Sequence, residues 1–281
     1  MEISAADVKK LRDRTGMQMM KCKAALVEAH GDMDKAVEIL RKANKEAVDK
    51  SANRETAEGR VAVHLDPATK AGAIIELRCE SAPVAKSDLF IKLADDLARQ
   101  VSMKGANTPE QLLAQPFVGA PAKTVAERIA EAVGLLRENI RPSRMARRTG
   151  LLGSYVHHDG SVGVLLQVEG AGAEAQLLRD VCMHITAKNP IAGRREDVAA
   201  DKVAKETEIA KAQIAADPKN ASKPANILEK IVEGKVKTWF AENVLVEQPF
   251  VKDDSKTVGQ LLQSAGLKLV NFVRYKVGEL S

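Results

Sequence analysis

The sequence predicts an α+β protein: a three-helix module at the start, a core of two pseudo-repeated α+β subdomains, and a helical hairpin inserted into the second. Three observations carry this. The apolar period switches from helical to alternating near residue 60. A hairpin followed by a helix then occurs twice. Finally, QPFVGAPAKTV at Gln115–Val125 recurs as QPFVKDDSKTV at Gln248–Val258, identical at seven of eleven positions.

The elements follow in order. Ser4 with Asp7 opens a first helix that carries Val8 and Leu11 on one stripe and stops at Gly16. A second helix runs through KCKAALVEAH to Gly31. Asp32 caps a third, DMDKAVEILRK, with Ala36, Val37 and Leu40 on one face. KANKEAVDKSANRETAEG lacks a sustained stripe and reads as a linker with partial helix. VAVHL and AGAIIELRC, either side of DPATK, form a hairpin, and DLFIKLADDLARQVS a helix. LLGSYVHHDGSVGVLLQV repeats the hairpin with HHDGS as its turn, and AEAQLLRDVCMHITAKNP repeats the helix. Each QPFV segment precedes an amphipathic helix, AERIAEAVGLL or GQLLQSAGLKL, and then a closing apolar run.

The second copy is longer, by a charged segment from about Ile191 to Asn243. Two helices joined through DPKNASKP make a hairpin. Its stripes are Val198, Val203 and Ile209 on one arm, and Ile227, Ile231 and Val236 on the other. Such an arm is either a solvated lever or a surface for a second copy of the chain, and the second is preferred. The boundaries expected are 1–50 for the helical module, 51–150 for the first core subdomain, 151–190 with 244–281 for the second, and 191–243 for the insertion.

Composition narrows the function. No apolar run approaches the roughly 18 residues of a membrane span, and MEISAADVKK has no apolar segment behind a basic start. Cys22, Cys79 and Cys182 are far apart and not spaced as ligand pairs, which fits a reducing cytosol and argues against a zinc site. The net charge of +5 admits an acidic partner, protein or nucleic acid. With one Trp, two Tyr and five Phe, stacking platforms for single strands are scarce.

No catalytic arrangement emerges. A phosphate-cradling G-x-x-x-x-G-K-[ST] loop is missing, and Gly170–Gly172 is too short for a dinucleotide fingerprint. His157, His158 and Asp159 read as a polar turn whose histidines diverge. Cys182 and His184, two apart on a helix, do not share a face and read as a core cysteine and an edge histidine. No metal, cofactor or nucleotide is expected, and no enzyme. What remains is RTGMQMMKCK, where Met17, Met19 and Met20 stand among cations. They are either core or an adaptable interface for an acidic partner, and both readings stand on composition alone.

The residues also carry a resemblance. VKKLRDRTGMQMMKCKAAL with GDMDKAVEILRK is similar to the N-terminal module of the bacterial elongation factor Ts family, as are LGSYVHHDGSVGVL, MHITAKNP, ILEKIVEGKVKTWF, QPFVKDDSKTVGQLL and FVRYKVGE, in order over nearly the whole chain. The resemblance implies a ubiquitin-associated-like (UBA-like) module, two pseudo-repeated subdomains and a coiled-coil hairpin used in homodimerisation. It implies a cytoplasmic guanine-nucleotide exchange factor whose partner is elongation factor Tu. By the match, Arg12, Met19, Met20 and Lys23 are contacts of the module, and His157 a contact of the second subdomain.

Two departures stand out. Members carry T-D-F-V before A-K, whose acid and aromatic push in near the GTPase's Mg²⁺ site. Here ESAPVAK places Ser81, Ala82, Pro83 and Val84 there. Either Pro83 is the wedge, on a preset backbone, or exchange is weak and the chain is a holder of its GTPase. The sequence also ends at KVGELS, without the further helix of some members. A basic ribosome- or RNA-associated binding protein is the alternative of another class.

Overall fold

Helix and sheet are mixed in the computed structural model, which describes residues 3–171, 174–220 and 223–279. They form two compact units. The first takes the described residues up to Thr149, Val156–Gly163, and those from Tyr275 onward; the second takes Gly150–Tyr155 and the described residues of Val164–Arg274.

The first unit opens with α1 (Ala5–Thr15), α2 (Met19–Glu28) and α3 (Met33–Ser51). Ser4 accepts the Asp7 N–H, and Gly16, at φ 70°, closes α1 with its own N–H on the Arg12 carbonyl. Asp32 takes the Asp34 and Lys35 N–H groups at the start of α3. Val8, Leu11, Met17, Cys22, Leu26, Ala36 and Leu40 are among the module's buried core.

Next come β1 (Glu58–Asp66), β2 (Ala71–Cys79), α4 (Ala82–Ala85), α5 (Asp88–Lys104), α6 (Pro109–Ala114), β3 (Pro116–Phe117), β4 (Ala120–Thr124), α7 (Val125–Leu136) and β5 (Arg141–Thr149). The antiparallel sheet runs β1-β2-β5, with Glu58 opposite Cys79 and Ile75 opposite Met145. Phe90, Leu93, Leu97 and Val101 of α5 bury against Ile75 and Leu77. Pro142 is tolerated because β5 is an edge strand, next to a register shift at Glu76/Leu77. Glu76 is 1% exposed and is held by Arg78 at 3.0 Å, Arg144 at 2.5 Å and the Gly278 N–H at 3.0 Å.

The stretch from Lys42, expected as a linker with partial helix, is continuous helix as far as Ser51. Its stripe continues in a form that hydropathy does not flag: Asn44 and Ser51 are buried, and Ala47 and Val48 pack on the core of the sheet. Asn44 Nδ2 donates to Met17 Sδ (3.6 Å), and a Cβ on Gly134 of α7 would stand 2.2 Å from Asn44 Oδ1. Lys21 Nζ donates to the Gly134 carbonyl at 2.7 Å. Burial, and then the Arg137 charge, lower the Lys21 pKa.

The second unit repeats this plan with β6 (Leu151–Val156), β7 (Val162–Gly170), α8 (Ala175–Lys188), β8 (Pro249–Phe250), β9 (Asp253–Thr257), α11 (Val258–Ser264) and β10 (Leu267–Lys276), in sheet order β10-β7-β6. In both sheets the closing strand lies beside the second strand of the hairpin. The repeated segment makes the same bonds twice. Val125 N–H reaches the Gln115 carbonyl at 2.9 Å, and Val258 N–H the Gln248 carbonyl at 3.0 Å. Capping boxes pair Thr124 with Glu127 and Thr257 with Gln260. Above each, a side chain from the long helix accepts an amide of the segment: Gln100 takes the Val118 N–H at 2.8 Å, and His184 Nδ1 the Val251 N–H at 3.1 Å.

Two expectations for this unit are corrected. His184 is fully buried rather than at an edge, because it performs this pinning. The helix expected through GQLLQSAGLKL stops at Ser264, since Gly266 at φ 68° turns the chain so that Leu267 and Leu269 enter the core as strand.

The insertion holds α9 (Ala200–Ala216) and α10 (Ala225–Asn243). Its feet are joined by a parallel bridge between Ala192 and Val244, by an Arg195–Glu247 ion pair, and by Arg195 over the Phe240 ring at 4.5 Å. Ala210 and Ile214 are the buried positions of α9; Ile209 and Ile227 of the expected stripes face outward, and Val198 precedes the helix.

Candidate partner-docking surface

The three methionines of RTGMQMMKCK separate. Met17 is 1% exposed and belongs to the module core, whereas Met19 and Met20 are 44% and 74% exposed at the start of α2. Helical spacing puts Met20, Lys23, Ala24 and Val27 along one side, all exposed, with Val27 at 55%. Arg12 is exposed in the last turn of α1. The result is an apolar stripe flanked by cations on a small folded support.

Ser81, Ala82, Pro83 and Val84 lie where the sheet hands over to α5. α4 is one turn, with Ser81 as its N-cap and Pro83 in its first two positions. Pro83 is exposed, Ser81, Ala82 and Val84 are half-buried, and Ala85 is buried in the core. Ser87 caps α5, taking the Phe90 N–H. Beneath the turn, burial, reinforced by the Glu138 charge, pushes the Cys79 thiol up to about 12, so it is inert.

His157 sits in the β6–β7 turn, where its N–H reaches the Val162 carbonyl at 2.9 Å. This turn groups with the first unit, and Gly160 accepts the Val61 N–H at 2.8 Å. The histidine rings do not diverge as expected: those of His157 and His158 lie 4.4 Å apart. Burial works against ionisation of the adjacent Asp159, but the Ser161 N–H and hydroxyl, with the two histidines, hold its pKa below the usual range.

Hydropathy pattern overlooks two residues at the Ser81 segment, Glu138 and Glu80. They read as solvated acids, and no local signal marks them, because their partners lie 26 to 59 residues away. Among the described residues no group of three or more His, Cys, Asp or Glu is placed to hold a metal, and no helix is long and apolar enough to cross a membrane.

Fold and surface together set the class: a helical module with an exposed apolar and cationic face ahead of a duplicated α+β core. The profile described as Elongation factor TS matches residues 80–279. Proteins named elongation factor Ts from Methylococcus capsulatus (strain Bath) and Thioalkalivibrio sulfidiphilus are each 44% identical over 99% of this chain and 93% of their own length. One from Aquifex aeolicus is 40% identical over 100% and 99%. The chain belongs to the elongation factor Ts family, the nucleotide exchange factors for elongation factor Tu in translation elongation.

Proposed function

We propose that the chain docks on GDP-bound elongation factor Tu, disturbs its Mg²⁺ and phosphate site through Ser81–Val84, and holds the empty GTPase until GTP binds. The observation that carries this reading is the exposure of Pro83 on a one-turn helix tied down at both ends. With neither the acid nor the aromatic of T-D-F-V, the segment acts as a steric wedge. Its ring fixes φ and carries almost no side-chain entropy to lose on contact. Linkage sets the energetics: a factor that binds the empty GTPase better than the occupied one weakens nucleotide binding by the same ratio. Each tenfold of that ratio takes about 1.4 kcal/mol of differential contact.

The UBA-like module supplies affinity through Met19 and Met20, with Arg12 and Lys23 steering it to an acidic surface. His157 adds a contact from the turn. A homodimer through the coiled-coil hairpin would take its apolar contact from the exposed Ile209 and Ile227. A cytoplasmic setting suits three buried free cysteines.

The test is GDP release from elongation factor Tu by stopped-flow fluorescence. The chain should accelerate release strongly, and Pro83→Ala should lower the rate at saturating factor by about 5–10-fold, the equivalent of one lost apolar contact. Acceleration that Pro83→Ala leaves unchanged would place the exchange power elsewhere in the interface. Tight binding without acceleration would make the chain a holder.

A further inference from the structure

The exchange segment is too short to aim itself. α4 has four residues, and a lone turn makes too few hydrogen bonds to offset the dihedrals it fixes. Its direction is therefore set by its two flanks. Downstream, the Val84 carbonyl accepts both the Ser87 N–H at 3.0 Å and the Ser87 hydroxyl at 2.8 Å. Upstream, the Cys79 thiol donates to the Ser81 carbonyl at 3.4 Å, and one carboxylate takes the donors. Glu138, between α7 and β5, accepts the Glu80 and Ser81 N–H groups on Oε2, each at 3.1 Å, and the Ser81 hydroxyl on Oε1 at 2.5 Å. Ser81 accordingly makes no side-chain cap bond to α4.

The arrangement is reciprocal. Glu80 Oε1 accepts the Asn139 N–H at 2.5 Å, and Arg54 pairs with the same carboxylate at 3.2 Å. The segment after β2 and the segment before β5 thus exchange carboxylates for backbone amides, and the side-chain amide of Asn139 fastens the cluster to the Ala52 and Arg54 carbonyls. The Glu80 and Ser81 amides and the Ser81 hydroxyl are all bonded without the apolar tip, so Pro83 stays outward while its base is fixed.

From this geometry we infer that Glu138 is the positioning residue of the exchange segment, acting through the Glu80 and Ser81 amides and without touching the GTPase. The inference rests on the reading of Ser81–Val84 given above. What it needs is a forked hydrogen-bonding head rather than a charge. A glutamine can keep Oε1 on the two amides and turn its NH₂ to the Ser81 hydroxyl, which accepts as readily as it donates. Alanine removes every bond at once.

The experiment measures GDP release from elongation factor Tu against factor concentration for wild type, Glu138→Ala, Glu138→Gln and Ser81→Ala, with amide hydrogen exchange at residues 80 and 81. Glu138→Ala should cut the saturating rate by about tenfold or more, as losing charged hydrogen bonds would, with little change in half-saturation, and deprotect both amides. Glu138→Gln should recover to within about threefold of wild type, and Ser81→Ala, which loses one donor, should fall by about threefold. A loss in half-saturation alone, or a saturating rate untouched by Glu138→Ala, would overturn the inference and leave the exchange reading standing. If Glu138→Ala does not fold, an unchanged rate in Ser81→Ala overturns it equally. No acceleration by the wild-type chain would overturn the exchange reading, and this inference with it.

Discussion

Replacing His184 with glutamine should be almost silent at pH 8, whereas replacing it with alanine should not. His184 is fully buried, its Nδ1 accepting the Val251 N–H at 3.1 Å and its Nε2 lying 2.9 Å from Gln248 Oε1. Since Nδ1 must be bare to accept, Nε2 carries the proton and gives it to Gln248. The first unit makes both bonds with Gln100, from the Val118 N–H at 2.8 Å and to Gln115 Oε1 at 2.9 Å. Glutamine at 184 can therefore rebuild the pair within about 1 kcal/mol, while alanine strands the buried Gln248 carbonyl at about 1–3 kcal/mol and frees the part-buried Val251 amide. The charge state adds a second signature. Burial chiefly, and Lys188 next, lower the His184 pKa below 6.5 against the opposing Gln248 bond. The unfolded chain then binds more protons than the folded one, so the stability from this site is complete above pH 6.5 and falls as the pH drops below it. Urea denaturation of the second unit, followed by the sole tryptophan, Trp239, at pH 8 and pH 5.5, reads both effects. The fall toward pH 5.5 should diminish in His184→Gln. A glutamine variant as unstable as the alanine one at pH 8 would refute the equivalence of the two pins.

Two further outcomes follow from the first unit. Gly134→Ala should lower stability by about 1–3 kcal/mol through overpacking, because its Cβ would lie 2.2 Å from Asn44 Oδ1 with Met17 Cε at 3.4 Å; an unshifted melting curve would mean that α3 and α7 part easily. Glu76→Gln should cost about 3–5 kcal/mol by leaving Arg78 and Arg144 without a buried counter-charge, and a loss under 1 kcal/mol on denaturant titration would show the pair to be solvated.

Much of the fold was legible because its signals are local. Caps at Ser4 and Asp32, the turn at DPATK and the alternation in AGAIIELRC all act within a few residues, and each appears where the pattern put it. Other features were hidden by chemistry that hydropathy misreads. α3 runs on to Ser51 because Asn44 and Ser51 are polar residues on a buried stripe, with Met17 Sδ and the Val48 carbonyl as their partners. The site was half visible: exposed methionines beside cations were open to two readings, and the Glu138–Ser81 bonds had no signature at all.

The sequence by itself determined the helical start, the twice-used order of hairpin, helix, QPFV segment and closing strand, and the family, since period and repeated motifs are properties of neighbouring residues. Only the tertiary structure decided that Met17 is core while Met19 and Met20 face outward, that His184 does the work of Gln100, and that Glu138 holds the base of the Pro83 turn. Each of these depends on which residues meet across long separations, 57 in the case of Ser81 and Glu138. Such meetings are set by strand register and helix packing, where a buried donor must find an acceptor wherever the chain has carried one.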